Sequence, residues 1–195
     1  GFSAKHNGRL ASIFDIRLKD GNNQKLAGSV SIGMLLSSIT LEGPLKKNKS
    51  SFIISYRRTY FDLFTQPIQY FSNRKDLNNY SGWYYFYDIN SKINYKLDNR
   101  NKVSLNFFIG TDRGRITETQ NFADETEILQ KRNHNKNLRW FTMMSSFRWD
   151  HILTDKIFMV TTAGITRYNT KFEDQLFWET KPKPDKNTSS LNYKQ

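Results

Sequence analysis

Carboxylates, histidines and a glycine-bracketed loop are the residues here that could make or break bonds, and none stands at a spacing that does so. Asp15 with Asp20, and Asp112 with Glu118, are near one another in the chain. General acid–base work needs two carboxyls whose surroundings drive their pKa values apart, whereas these flank polar turns and read as solvated. His6, His134 and His151 lie far apart with no metal-ligand spacing. Gly110, Thr111, Asp112, Arg113 and Gly114 lack the strand–loop–helix setting of a phosphate loop. With no cysteine there is neither a thiolate metal site nor a disulfide. The expectation is a protein that is not an enzyme, with no catalytic residue, metal site or cofactor.

A different set of polar side chains is organised. Arg57, Thr59, Asp88, Asn90, Lys92, Asn94 and Asn106 alternate at a period of two with mostly apolar or aromatic residues, Arg58 and Ser91 being the exceptions, which places them on one face of β-strands. The clearest stretch runs from residue 83 to 109. Its odd positions read Trp83, Tyr85, Tyr87, Ile89, Ser91, Ile93, Tyr95 and Leu97, and the even positions after Phe86 are polar. Asp98, Asn99, Arg100 and Asn101 form a tight turn, and Val103, Leu105, Phe107 and Ile109 resume the alternation. This predicts a hairpin with arms longer than the usual strand of about 5–6 residues.

Such a hairpin suits either a soluble sandwich, which buries its apolar face, or an outer-membrane barrel, which turns that face to lipid. Aromatics at both ends of the apolar face favour the barrel. From Tyr85 to Tyr95, at about 3.3 Å per residue and a tilt near 40°, the strand rises roughly 25 Å, the height of a barrel's lipid band.

The rest of the chain repeats the pattern. A first strand pattern over 13–18 ends in a turn signal at 20–23. Further strands are expected over 26–36 (with Ser37 and Ser38 as a break), 39–45, 51–63, 138–153 and 157–168, the last with ambiguous parity. Short turns fall at 46–49, 98–101 and 154–156, and long polar segments at 65–81, 114–137 and from about 170. Alternation of short and long connections is how up-and-down membrane barrels are built. Arg58 falls on the apolar parity but near a strand end, where an Arg snorkels or meets an anionic headgroup. The expected fold class is therefore all-β, an antiparallel up-and-down transmembrane β-barrel. About seven strands are too few and odd in number to close, so the chain reads as a fragment of a larger barrel, which the resemblance given below implies to be plugged.

Composition sets bounds on these readings. A mean hydropathy of −0.71 and the lack of an apolar run near 18 residues exclude a transmembrane helix, but not a barrel, whose polar face hides the lipid face in the average. The formal charge of +12 invites a nucleic-acid partner. The Lys and Arg residues are spread over turns and rims, so no nucleic acid is expected. Aromatics at 15% of residues suit interfacial girdles and a glycan-binding module equally.

Residues 8–22, reading GRLASIFDIRLKDGN, resemble the end of the plug domain of TonB-dependent outer-membrane receptors, closest to the carboxypeptidase-regulatory-like, SusC-like group. Ser31-Ile32-Gly33, Leu41-Glu42-Gly43-Pro44 and Ser55-Tyr56-Arg57-Arg58-Thr59-Tyr60 resemble the first barrel strands of the same group. The likeness is carried by residues 7–64; Asn7 stands where such receptors usually have Gly. It implies residues 1–22 as the C-terminal end of the plug and 23–195 as the first strands of a barrel of about 22. It implies the outer membrane of a Gram-negative cell, and active import of a scarce nutrient: siderophore-bound iron, a vitamin or an oligosaccharide. Outer-membrane lipid, the nutrient ligand, a surface lipoprotein and the TonB complex are the implied partners, the last through a segment upstream of this stretch.

On that reading Arg57, Thr59, Asp88, Asn90, Lys92, Asn94 and Asn106 face the lumen, where wetting and hydrogen bonds to the plug outweigh substrate contact. Tyr70, Phe71, Tyr80 and Phe122, in the long loops, are the candidate substrate contacts; packing of the loops is the competing role. A soluble β-sandwich that binds a ligand or glycan, and a passive porin-like barrel, are the alternatives.

Overall fold

The computed structural model describes residues 17–72, 79–123 and 128–182. Seven strands, β1 (Ala27–Ile32), β2 (Leu36–Lys46), β3 (Ser50–Thr59), β4 (Asn79–Lys96), β5 (Asn101–Ala123), β6 (Ile128–Thr154) and β7 (Ile157–Pro182), form one antiparallel sheet in sequence order. A helix, α1 (Phe61–Ser72), stands between β3 and β4 and packs on β4. The fold is all-β with up-and-down connectivity. No described helix is long and apolar enough to cross a membrane, which says nothing of a crossing by strands.

The three short turns fall where the turn chemistry puts them. Asn48 adopts a left-handed conformation with φ of 62°, which Asn tolerates better than most residues. Asp98 accepts hydrogen bonds from the Asn101 side chain and the Arg100 amide, and these bonds hold its carboxyl below the usual range. Lys156 donates its amide to the Thr154 hydroxyl.

Register then sorts the faces. Cross-strand neighbours on the apolar face include Phe52, Ile93, Leu105, Phe147 and Ala163 in one row, and Ile39, Tyr56, Ile89, Ile109 and Met143 in another. Pairing with β6 resolves the ambiguous parity of β7: Met159, Ala163 and Ile165 join the apolar face, and Phe158 and Val160 the other.

The distribution of burial is inverted relative to a water-soluble domain, whose apolar side chains go inside. Ile53 is the one buried apolar residue among those described, against seven buried polar ones: Ser50, Ser51, Thr59, Asp88, Asn94, Ser104 and Thr111. On the apolar face Ile93 is 45% exposed and Leu105 48%. Ile89 and Phe107 are half-buried by their neighbours in the same sheet. No second layer of described residues seals that face.

Several expected boundaries are corrected. The strand expected over 26–36 breaks at Gly33, Met34 and Leu35, where the Gly33 amide donates to the Leu36 carbonyl; the Ser37-Ser38 pair instead lies within β2. The strand expected to reach Leu63 ends at Thr59, and the following segment, expected as loop, opens with α1. The segment expected as a long loop over 114–137 is mostly strand: β5 runs on to Ala123 and β6 starts at Ile128. β7 likewise continues to Pro182. Residues 1–16, most of the proposed plug end and of the strand pattern expected over 13–18, lie outside the described residues.

Candidate functional site

All seven polar side chains singled out by their period lie on one face. Arg57 is the Cα partner of Asp88, Ser55 of Asn90, Ser51 of Asn94, and Lys92 of Asn106. Their chemistry is largely spent on one another. The Arg57 guanidinium donates through Nε and Nη2 to Oδ2 of Asp88 at 2.9 and 2.6 Å, and Asn90 donates to Oδ1 of the same carboxylate at 2.9 Å. Asn94 donates to the Ser51 hydroxyl and Asn106 to the Ser146 hydroxyl. The Thr59 hydroxyl accepts the Phe86 amide at 2.9 Å. Buried polar groups must find such partners or forfeit their hydration.

Lys92 is different, because its partners come from outside the sheet. It donates to the Leu18 carbonyl at 2.9 Å and pairs with Asp20 at 2.8 Å, while Lys102 reaches the other oxygen of Asp20. From there residues 17–25 cross the polar face toward β1. Gly21 lies so close to β3 that a Cβ on it would stand 1.9 Å from the Phe52 carbonyl oxygen; only glycine permits that approach. Next, the Asn22 amide donates to Glu42 on β2, which also pairs with Lys19 at 3.1 Å. Ile53 is buried beneath this crossing. Burial pushes the Asp20 carboxyl up, but hydrogen bonds and charge from Lys102 and Lys92 outweigh it and hold the group below its ordinary 3.8.

Tyr70, Phe71, Tyr80 and Phe122 are not brought together on loops. Tyr70 and Phe71 lie in the second half of α1, their rings edge to face at 5.7 Å. Tyr80 is on β4 and Phe122 on β5, both exposed. The structure therefore corrects their placement, from loops to a helix and two strands. Asp112 and Glu118 each have their own partner, the Tyr84 hydroxyl and Gln120. Six residues along one strand separate them by roughly 20 Å. Asp15 and His6 lie outside the described residues. His134 contacts Asp174, and His151 contacts Asn101. Among the described residues no three His, Cys, Asp or Glu side chains group closely enough to hold a metal ion.

The continuation of β4–β7 past the polar network carries a set that the sequence reading missed. Tyr84, Trp140, Phe172, Leu176 and Trp178 share the parity of Asp88 and Asn90, and all are at least a third exposed. Charged groups stand among them: Arg132 lies over the Trp178 ring at 5.6 Å, and Asp112 accepts from Tyr84 at 2.6 Å. Aromatic faces beside charged and hydrogen-bonding groups can stack on and orient a polar ligand. Tyr84 and Trp140 already hold this parity within the expected strands, and period-two counting carried past Tyr168 would have added Phe172, Leu176 and Trp178.

No family model matches the chain, and neither the curated proteins nor the solved structures contain a match.

Proposed function

We propose that the chain is part of a TonB-dependent outer-membrane transporter for a scarce nutrient, supplying the end of the plug and the first barrel strands. What supports this is the single-layer sheet, with exposed apolar side chains such as Ile93 and Leu105 on one face, buried polar ones such as Asp88 and Asn94 on the other, and the segment ahead of β1 laid across the polar face. Hydrocarbon accepts uncovered Ile, Leu and Phe without penalty, whereas water would drive them under a second layer. A segment that enters the barrel from its lumen is what a plug requires, and Asp20, Gly21 and Asn22 are its contacts to the wall. Backbone groups in lipid must all be paired, so on this reading further strands join at β1 and β7.

Within this proposal the network around Arg57 and Asp88 lines the lumen, and the extended β4–β7 strands rise on the outer side as the wall of a vestibule. Tyr84, Trp140, Phe172 and Trp178 are then better placed for nutrient contact than Tyr70 and Phe71.

The test is fractionation of the producing cell, followed by uptake. The intact protein is expected in the outer-membrane fraction, soluble only with detergent, and its loss is expected to abolish energy-dependent accumulation of one nutrient. A monomer stable in buffer without detergent would instead mean a soluble ligand-binding domain. Uptake indifferent to collapse of the proton gradient would mean a passive channel.

A further inference from the structure

The apolar face ends in a row of cations. Arg113 on β5, Arg139 on β6 and Lys171 on β7 are consecutive Cα partners across three strands, and all three are exposed. The row below them, toward the apolar band, is Tyr87, Thr111, Phe141 and Asn169. Together these residues line a shallow depression of about 410 Å³. Like charges directly opposite one another on a sheet repel, so the row needs a counter-charge to be stable.

The protein supplies little of it. Glu173 pairs with Lys171 at 2.6 Å and also stands close enough to Arg139 and Arg115 to interact with their charges. Among the described residues the Arg113 and Arg139 side chains make no hydrogen bond and no ion pair within 4 Å. More positive charge lies nearby on the same face: Arg167 two residues before Asn169, and Arg115 above Arg113, over the Trp83 ring at 6.0 Å. Asp112 and Asp174 point to the opposite face by parity.

We propose that this row binds the phosphorylated headgroup of a membrane lipid, an inference that rests on the barrel reading above. Two guanidiniums and an ammonium on adjacent strands match the several oxygens of a phosphomonoester, to which Arg donates in pairs. Phe141, Tyr87 and the apolar rows beyond them would lie along the acyl chains. Charge selects the headgroup and the adjoining apolar band selects a lipid over a free anion.

The experiment reconstitutes the intact protein in phosphatidylcholine vesicles with and without phosphatidic acid, then counts retained lipids by native mass spectrometry. Wild type should keep phosphatidic acid in preference to phosphatidylcholine. The R113Q/R139Q/K171Q variant should lose that preference, with affinity down on the order of a hundredfold at about one factor of five per charge, while inserting and resisting protease as wild type does. Each single variant should fall in between. Equal retention by wild type and an inserted triple variant would overturn this site and leave the barrel intact. Displacement of the lipid by millimolar inorganic phosphate would overturn the lipid in favour of a free anion. Failure of wild type to insert at all would overturn the barrel reading, and this site with it.

Discussion

Asp20 and Gly21 fasten the chain ahead of β1 to the sheet, and each predicts a measurable release. Because the Asp20 carboxyl is held below 3.8 by Lys92 and Lys102, its contribution is fully present above that value and is lost as pH falls through the lowered one. The protection of amides 18–22, taken relative to their intrinsic exchange at each pH, should therefore fall with acid across that window; in D20N protection should be low already at neutral pH and insensitive to acid. An acid response unchanged in D20N would mean that another group holds the segment. Gly21→Val sets a side chain against the Phe52 carbonyl, so the crossing must lift. Trypsin should then cut at Lys19 and Lys25 several-fold faster, with the sheet unchanged by circular dichroism. Cleavage at the wild-type rate would contradict the close approach. Neither contact was legible in the sequence, because Lys92 and Asp20 are 72 residues apart and no local pattern links them. The partnership of Arg57 with Asp88 was legible only as a shared parity.

At the scale of elements, the period-two stretch from Trp83 to Ile109 and the three short turns were readable because burial and turn chemistry are both local there. The reading failed where the contrast between faces fades. Past Thr111 on β5 both faces carry polar residues, Arg115, Thr117 and Thr119 on one and Asp112, Glu118 and Gln120 on the other, which resembles a loop, yet the ladder to β6 continues through Ala123. Backbone hydrogen bonds do not need an apolar face, and side-chain pairs such as Arg115 with Asn137 at 2.7 Å and Thr119 with Asn133 at 3.0 Å support the ladder instead. Helix α1 was missed for a related reason. Pro67 and the aromatic run around it suggest a break, but a Pro is compatible with this 12-residue helix despite its missing N–H. Hydrogen–deuterium exchange checks the extension directly. Amides of residues 116–122 should be protected well above open-loop rates, and full exchange at the earliest time would return this stretch to loop.

For the molecule as a whole, one property orders the rest: a single sheet whose uncovered face is apolar and whose polar face holds the preceding chain. It accounts for the buried Ser51, Asp88 and Asn94 beside the exposed Ile93 and Leu105, and for Arg58, which reaches Asp62 at 3.7 Å and lies over the Tyr85 ring at the end of the apolar band. The decisive measurement places one cysteine-linked nitroxide label at a time along residues 103–109 of the intact protein in lipid bilayers. These 195 residues hold no cysteine of their own, and any cysteine outside them is first replaced. Labels at Val103, Leu105, Phe107 and Ile109 should be relaxed by dissolved oxygen and shielded from a water-soluble nickel chelate, with the reverse at Ser104, Asn106 and Phe108. Equal access of the chelate to both sets would contradict contact of this face with hydrocarbon, and the importer assignment with it.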